Sequence, residues 1–404
     1  MDALTTPSNW QRVRLGDIAE IIGGGTPSTQ ITSFWNGSIN WFTPTEIGIT
    51  KYVYKSQRTI TPLGLKKSSA KLLPIGTILL TSRASIGDCA ILKVVATTNQ
   101  GFQSLIPLEK INNEFLYYLI LTLKNKLLEL ASGSTFLEVS PNKIKNLLIP
   151  LPPLNEQIAI ANILSDVDHY LYSLDALILK KEGVKKALRI KMLNQILASN
   201  GVEFRELGDI ILSLKTGLNP RSFFKLNTPN ANNYYVTIRE LEDYTIKFTH
   251  QTDRIDDNAL SLCLKCSNLE KDDILFSGTG TIGKVSIIEK NPNNWAIKEG
   301  IYSIKPNKKI VFPRFLMFCL ESSNIQNDIK NKSFGGIVKS IPMNDLQQIQ
   351  IPLPPLNEQI AIANILSTLD HEIISLKNKK RQFDNIKKAL NHDLMSAKIR
   401  VLKK

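Results

Sequence analysis

The sequence predicts an α+β chain. Two strand-rich lobes of matching layout are each followed by a long helix, and the two helices pack as an antiparallel coiled coil. Three observations predict this. The stretch IPLPPLNEQIAIANILS occurs at 149–165 and again at 351–367, identical at all seventeen positions and offset by 202 residues. Behind each copy runs an apolar seam with coiled-coil spacing and no proline. Ahead of each copy lie short apolar runs between glycine-bearing turns, alike in order but far apart in sequence. A duplication without function drifts evenly. Here the lobes have drifted and the seventeen residues have not, so both copies answer to the same kind of partner, or to each other.

The elements follow in chain order. The first lobe spans 1–150 and opens with Leu15-Gly16-Asp17-Ile18, which returns as Leu207-Gly208-Asp209-Ile210 in a second lobe at 199–350. Ile78–Thr81 and Ala90–Val95 in the first lobe, and Ile274–Phe276 and Val285–Ile288 in the second, read as strands. The segments 113–130 and 313–330 are apolar-rich and free of internal proline, hence helical. Gly23-Gly24-Gly25-Thr26-Pro27 and Thr216-Gly217-Leu218-Asn219-Pro220 are turns, and Ser132-Gly133-Ser134-Thr135 and Phe334-Gly335-Gly336 form another matched pair of loops.

In each repeat, Ile-Pro-Leu-Pro-Pro is extended, because proline fixes φ and pushes the preceding residue out of the α region. A helix starts directly afterwards. The central helical segment, 151–198, has its seam at Ile160, Leu164, Val167, Leu171 and Leu174; the seam skips a turn and resumes at Val184 and Leu188. The last segment, 351–404, carries Ile362, Leu366, Leu369, Ile373 and Leu376, then Phe383, Ile386 and Leu390. Each helix is about 45 residues, roughly 65 Å, too long to bury one stripe on a small globule. Packing on each other, antiparallel, relates the two halves by a pseudo-two-fold axis.

Composition bounds the function. At 404 residues, 43% of them hydrophobic, the chain has ample material for two or three domains. It has no run of 18 apolar residues and no secretion signal, and four cysteines are too few for a disulfide framework, so a cytoplasmic protein with no membrane contact is expected. The net charge of +14 is spread along the chain, which suits a folded surface that faces a polyanion.

Two diverged lobes, each followed by a long helix that a PLPPLNEQ-type segment introduces, resemble the specificity subunits of type I restriction–modification enzymes. The marks are the repeated block, the Leu-Gly-Asp-Ile lobe starts and the Gly-Thr-Ile-Gly loop at 280–283, and the resemblance covers essentially the whole chain. It implies two target recognition domains that read the two halves of a split, asymmetric site in double-stranded DNA. It also implies helices that measure the unread gap and dock two methyltransferase subunits, with restriction and translocase subunits joining them. S-adenosylmethionine would sit on the methyltransferases, leaving this chain without a cofactor or catalytic residue.

Reading bases requires polar side chains on loops. The candidates are Thr26, Ser28, Arg83, Ser85, Asn99, Gln100 and Thr135 in the first lobe, and Asn219, Arg221, Thr279, Thr281, Lys284 and Lys298 in the second. Trp35, Trp41, Tyr234 and Tyr235 suit base stacking in principle, but aromatic residues more often pack in cores.

Three motifs imitate other chemistry. Gly278 to Lys284 fits the first seven positions of a phosphate-binding loop, which leaves a nucleotide-driven ATPase as an alternative. Val285 stands where a Ser or Thr hydroxyl would hold Mg²⁺. Cys263-Leu264-Lys265-Cys266 has metal-type spacing but no second pair, so no metal site is expected. Asp168-His169 and Asp370-His371 match across the helices and read as surface or interface contacts. A scaffold that binds protein alone is the remaining alternative.

Overall fold

The computed structural model of the chain describes residues 7–133, 137–198, 202–242, 244–336 and 338–401, with side chains at 193–198, 221 and 222 outside the described set. The fold divides into two units. One is residues 1–175 with 379–404, and the other is residues 176–378. Each unit contains one lobe and a stretch of each long helix.

The first lobe is built on a five-stranded sheet in the order Ala19–Gly23, Gln103–Pro107, Ile78–Leu80, Cys89–Leu92, Tyr52–Val53. A second sheet sets Trp35–Phe42 between Arg58–Ile60, antiparallel, and Ala96–Thr98, parallel. The second lobe repeats this plan. Its main sheet runs Ile211–Thr216, Ile301–Pro306, Ile274–Ser277, Val285–Ile287. Its smaller sheet sets Asn233–Val236 between Arg254–Ile255, antiparallel, and Trp295–Ile297, parallel. Sequence has diverged while the order and direction of four of the main-sheet strands, and of the three in the smaller sheet, have been kept; Tyr52–Val53 has no counterpart in the second lobe's main sheet. The fully buried Ile78, Leu80 and Ile91 find their counterparts in Ile274, Phe276 and Ile287.

Both helices expected inside the lobes are broken. Asn113–Thr122 is followed by a separate helix, Lys124–Leu130, and Pro313–Leu320 by Ser323–Asn331. In the second lobe the break has a local cause. Ser322 leaves the helical region (ψ 147°), and its hydroxyl caps the next helix by accepting from the Ile325 amide.

Proline-bearing strands lead into the long helices. Leu148–Leu151 pairs antiparallel with Gln11–Arg14, and Gln350–Leu353 with Glu203–Glu206. Pro150 and Pro352 thus sit in two-stranded ribbons, where the missing N–H costs least. The helices run over Leu154–Ala198 and Leu356–Met395, 45 and 40 residues, so the second is shorter than expected. Gln157 fastens the first helix to its lobe: its Oε1 accepts from Asn112 N (3.0 Å) and its Nε2 donates to Pro152 O (2.9 Å). Gln359 does the same with Phe312 N (2.8 Å) and Pro354 O (2.9 Å). Ile160, Ala161 and Leu164 enter the core of the first lobe, and Ala363 and Leu366 that of the second.

Within each unit the two helix segments run antiparallel. In the first, Lys380 Nζ meets Asp175 Oδ1 at 2.8 Å, Tyr170 packs on Phe383 with centroids 4.7 Å apart, and Lys387 pairs with Asp168. In the second, Lys181 pairs with Glu372, Lys185 with Asp370, and Lys377 Nζ with Glu182 Oε1 at 2.8 Å.

The seam needs a correction at two expected positions. Val184 is 42% exposed and Ile386 is 51% exposed, so neither lies in it. The heptad continues unbroken through Ile178, Lys181, Lys185 and Leu188, and through Lys380, Phe383, Lys387 and Leu390, all buried or half-buried. Lysine stems line the apolar stripe while the ammonium groups reach carboxylates on the facing helix, an arrangement that residue type alone hides. Of the other expected seam residues, Ile160, Leu164, Leu171, Leu174, Leu366 and Ile373 are buried, and Val167, Leu188, Ile362, Leu369, Leu376, Phe383 and Leu390 are half-buried.

Candidate nucleic-acid interface

Backbone hydrogen bonds draw four loops of each lobe together. In the first lobe the hairpin turn after Ile78–Leu80 is tied to two neighbours. Ser82 N donates to Gly101 O (2.8 Å), and Val139 N donates to Ser82 O (2.9 Å). The Gly23-Gly24-Gly25 turn closes on the same place: Gly25 N donates to Thr98 O (2.8 Å), and a Cβ on Gly24 would lie 2.0 Å from Asn99 O. Only glycine permits that approach.

The second lobe repeats these bonds with other residues. Gly278 N donates to Gly300 O (2.8 Å), and Ile341 N donates to Gly278 O (2.9 Å). A Cβ on Gly217 would lie 1.8 Å from Ile297 O. The scaffold of the loop cluster is common to both lobes, and the side chains on it differ.

Most candidate residues fall in these clusters. Thr26 is half-buried and its hydroxyl bonds the exposed Gln100. Asn99 Oδ1 accepts from Gly101 N (2.9 Å) and shapes its own turn. Ser28 is exposed, while its carbonyl holds Trp35 Nε1 at 3.0 Å. Arg83 and Ser85 are exposed on the hairpin turn, Arg83 pairing with Glu138 at 3.1 Å and Ser85 at φ 55°.

In the second lobe Thr279, Thr281, Lys284 and Lys298 are all exposed; Thr279 Oγ1 lies 3.3 Å from Ser340 Oγ and Lys284 Nζ donates to Ile238 O at 3.3 Å. Asn219 is half-buried in the turn beside Leu218, whose carbonyl accepts from Glu299 N at 3.2 Å. Thr135 and the side chain of Arg221 lie outside the described residues. The residue that sequence reasoning missed is Lys339, exposed on the fourth loop, where its carbonyl accepts from Gly280 N at 2.8 Å. The match between 132–135 and 334–336 was the signal that pointed there.

The aromatic candidates divide. Trp35 and Trp41 are buried, edge to face at 5.0 Å, and Tyr235 is fully buried. Tyr234 is half-buried, stacked on Phe248 at 4.4 Å with the Arg254 guanidinium 4.6 Å from its ring. All four have core or near-core partners.

The loop that imitates a phosphate-binding loop is a hairpin. Gly283 N donates to Ser277 O (2.9 Å), Ser277 Oγ donates to Thr281 O (2.7 Å), and Lys284 N donates back to Ser277 Oγ (2.8 Å). Strand Val285–Ile287 follows directly, where a phosphate cradle needs a helix N-terminus. The first lobe builds the same turn on Thr81, whose hydroxyl donates to Ser85 O (2.6 Å). Cys263 is buried, and burial pushes its thiol up to about 11, which disfavours the thiolate that metals bind. Among the described residues no group of three or more His, Cys, Asp or Glu is placed to hold a metal ion.

Where each lobe meets its helices the interior is charged. In the first unit, Lys51 Nζ donates to Glu114 Oε2 (2.6 Å), Tyr118 OH (3.0 Å) and Ser165 Oγ (2.8 Å), and Tyr118 OH donates to Asp168 Oδ2 (2.5 Å). Burial pushes Glu114 up, but hydrogen bonds from Lys51, Tyr52 and Ser165 outweigh it and hold the carboxyl below its usual range. In the second unit, Lys185 Nζ donates to Tyr244 OH (2.7 Å) and Arg189 Nη1 to Glu321 Oε2 (2.6 Å). There burial prevails, and Asp370 and Glu321 both lie above their usual range.

Sequence comparison gives this arrangement a family. A model of the family described as "Type I restriction modification DNA specificity domain" matches residues 7–181 and 199–383. The chain belongs to that family. It is 43% identical over 166 residues to the type I restriction enzyme MjaIX specificity subunit of Methanocaldococcus jannaschii, a match that covers 40% of this chain and 38% of that relative. It is 29% identical over 420 residues to the putative MjaX specificity subunit of the same organism, covering 98% of this chain and 95% of that one.

Among solved structures, a type I restriction–modification S subunit from M. genitalium has the same fold, with TM-score 0.59, 18% identity and 97% coverage of each chain. As a specificity-family chain it has no helix, among the described residues, long and apolar enough to cross a membrane.

Proposed function

We propose that this chain is the cytoplasmic, non-catalytic DNA-reading subunit of a type I restriction–modification complex. Residues 1–150 and 199–350 act as target recognition domains, each reading one half of a split, asymmetric site. The segments 151–198 and 351–404 measure the gap and dock two methyltransferase subunits, which carry S-adenosylmethionine; restriction and translocase subunits complete the assembly.

One observation carries the reading. Both lobes bring four loops together through equivalent backbone bonds, yet the exposed side chains there differ: Gln100, Arg83 and Ser85 on one, Lys298, Thr279 and Lys284 on the other. A common scaffold with unlike polar tips suits two unlike half-sites, since base edges are read by side chains while backbone groups and phosphates only position. The basic charge supports the polyanionic partner.

The test is to exchange 199–350 for the lobe of another member and sequence the methylated positions in cellular DNA. One half-site should change and the other stay. A change in both, or in neither, refutes the division of labour.

A further inference from the structure

Most of the helix seam is aliphatic and indifferent to direction. Leu164, Leu171, Leu174, Leu366 and Ile373 would pack equally well in a parallel pair or after a slip of seven residues. Of the ion pairs that join the two helices, the two most covered are the least indifferent. In the first unit Asp168 meets Lys387, with both side chains 24% exposed; in the second Lys185 meets Asp370, 10% and 13% exposed. The pairs are copies of each other at the repeat offset, Asp168 corresponding to Asp370 and Lys185 to Lys387.

That correspondence decides orientation. Aligned parallel by their repeats, the helices would set Asp168 against Asp370 and Lys185 against Lys387, like charges in an apolar seam. Antiparallel, each acid meets a base. Register follows from the same residues. A slip of one heptad sets Lys185 against Lys377 or Ala363, so neither one-heptad slip satisfies it. Each pair is also fastened to its own lobe. Tyr118 OH donates to Asp168 Oδ2 at 2.5 Å, and Lys185 Nζ donates to Tyr244 OH at 2.7 Å and lies 4.1 Å from that ring's centroid. A slip of one helix along the other would leave Tyr244, in the lobe fastened to the second helix, without Lys185 of the first.

We propose that Asp168–Lys387 and Lys185–Asp370 specify the direction and register of the helix pair and seat each lobe on it. Buried polar groups at core positions of coiled coils select register in this way, by what they exclude more than by what they stabilise.

The experiment uses the full chain with nitroxide labels on Tyr172→Cys and Gln382→Cys, both exposed and both in the first unit, with the exposed Cys266→Ser removed as a competing label site. Pulsed electron resonance should give one distance for the parent. The charge-exchanged chain (Asp168→Lys, Lys387→Asp, Lys185→Asp and Asp370→Lys) should give the same one.

An apolar version (Asp168→Leu, Lys387→Met, Lys185→Met and Asp370→Leu) should stay folded but show a second distance. A heptad slip displaces the labels along the axis by about 10 Å. The single change Lys387→Asp should lower the folded-to-unfolded ratio about 100-fold, with Asp168→Lys restoring it and Asp370→Lys not. A single parental distance in the apolar chain, or equal rescue by Asp168→Lys and Asp370→Lys, overturns the proposal. The first reading does not depend on DNA, so it separates this inference from the proposed function.

Discussion

Tyr118→Phe tests whether the first lobe is held to its helix by one hydroxyl. The ring is fully buried and packs edge to face on Tyr117 at 5.2 Å, so phenylalanine preserves the packing. What disappears is the donor to Asp168 Oδ2 and an acceptor for Lys51 Nζ. Burial, then the hydrogen bond to Asp168, pushes the phenol far above its ordinary value, so it is a protonated donor throughout the working pH range. Hydrogen bonds to charged groups contribute about 1.5–3 kcal/mol. Asp168 keeps Lys387 and Lys51 keeps Glu114, so the loss belongs near the lower end, about 2 kcal/mol. For a unit of this size that lowers Tm by roughly 4–8 °C.

The second lobe carries Phe318 at the matching place, a register that follows from Phe115-Leu116 matching Phe315-Leu316. The substitution is therefore compatible with the fold. Amide exchange over Asn113–Thr122 should quicken with the fall in Tm. A change under about 0.5 kcal/mol, or faster exchange only outside that helix and its contacts, would refute the anchor.

Three further predictions concern pH and backbone. Burial raises Asp273 from 3.8 to about 6, so the folded form binds its proton more tightly than the unfolded chain. The contribution of Asp273 to the second unit's stability should be fully present below about pH 4 and fall by up to about 3 kcal/mol as pH rises to about 6; Asp273→Asn should remove that part of the pH dependence of denaturation midpoints. Glu114 has the opposite sign. Its carboxyl is depressed, so its contribution is present above the unfolded value of about 4.3 and is lost on acidification below it, which Glu114→Gln should abolish. Gly87→Ala meets φ +89° and a contact 2.8 Å from Lys124 Cγ, whereas Gly280→Ala meets φ +81° in open space. Calorimetry should show a cost of about 1–2 kcal/mol for Gly280→Ala and more for Gly87→Ala.

Repetition made the architecture legible. The identical block marked both helix starts at Leu154 and Leu356, and the shared Ile78-Leu79 and Ile274-Leu275 runs marked equivalent strands. The short sheet of each lobe was harder to see, because Trp35–Phe42 and Asn233–Val236 share almost no residues. The seam was misread where it mattered most. Val184 and Ile386 look like core and are exposed, while Lys185 and Lys387 look like surface and lie in the stripe. A period count that admits only apolar residues skips a lysine whose stem is covered and whose ammonium is paired; counting strict heptads through the gap would have found it. The loop clusters were legible in part, since matched glycines mark turns, but which side chains converge depends on the long-range bonds from Ser82 and Gly278.

Folding alone does not account for all of the repeated block. Gln157 and Gln359 bond equivalent amides of their own lobes, and Leu164 and Leu366 are buried in lobe cores, so these residues are needed twice for the same internal reason. Glu156 is not used alike. It is buried against Trp10 Nε1 at 3.1 Å and Arg400 Nε at 2.9 Å, whereas Glu358 is exposed. Leu154, Asn155 and Ile158, with Leu356, Asn357 and Ile360, are exposed in both copies. Among the described residues nothing inside either unit demands their identity; under the proposed function a shared external partner would, as two copies of one methyltransferase subunit would impose.

The variant Ile158→Lys with Ile360→Lys removes apolar side chains that are 40% and 36% exposed, so its Tm should stay within about 2 °C of the parent. Co-purification with the methyltransferase subunit should fall sharply, and with it methylation of both half-sites. Ile158→Lys alone should release one methyltransferase and retain the other. Full retention of both by the double variant would mean that the exposed identity has another cause.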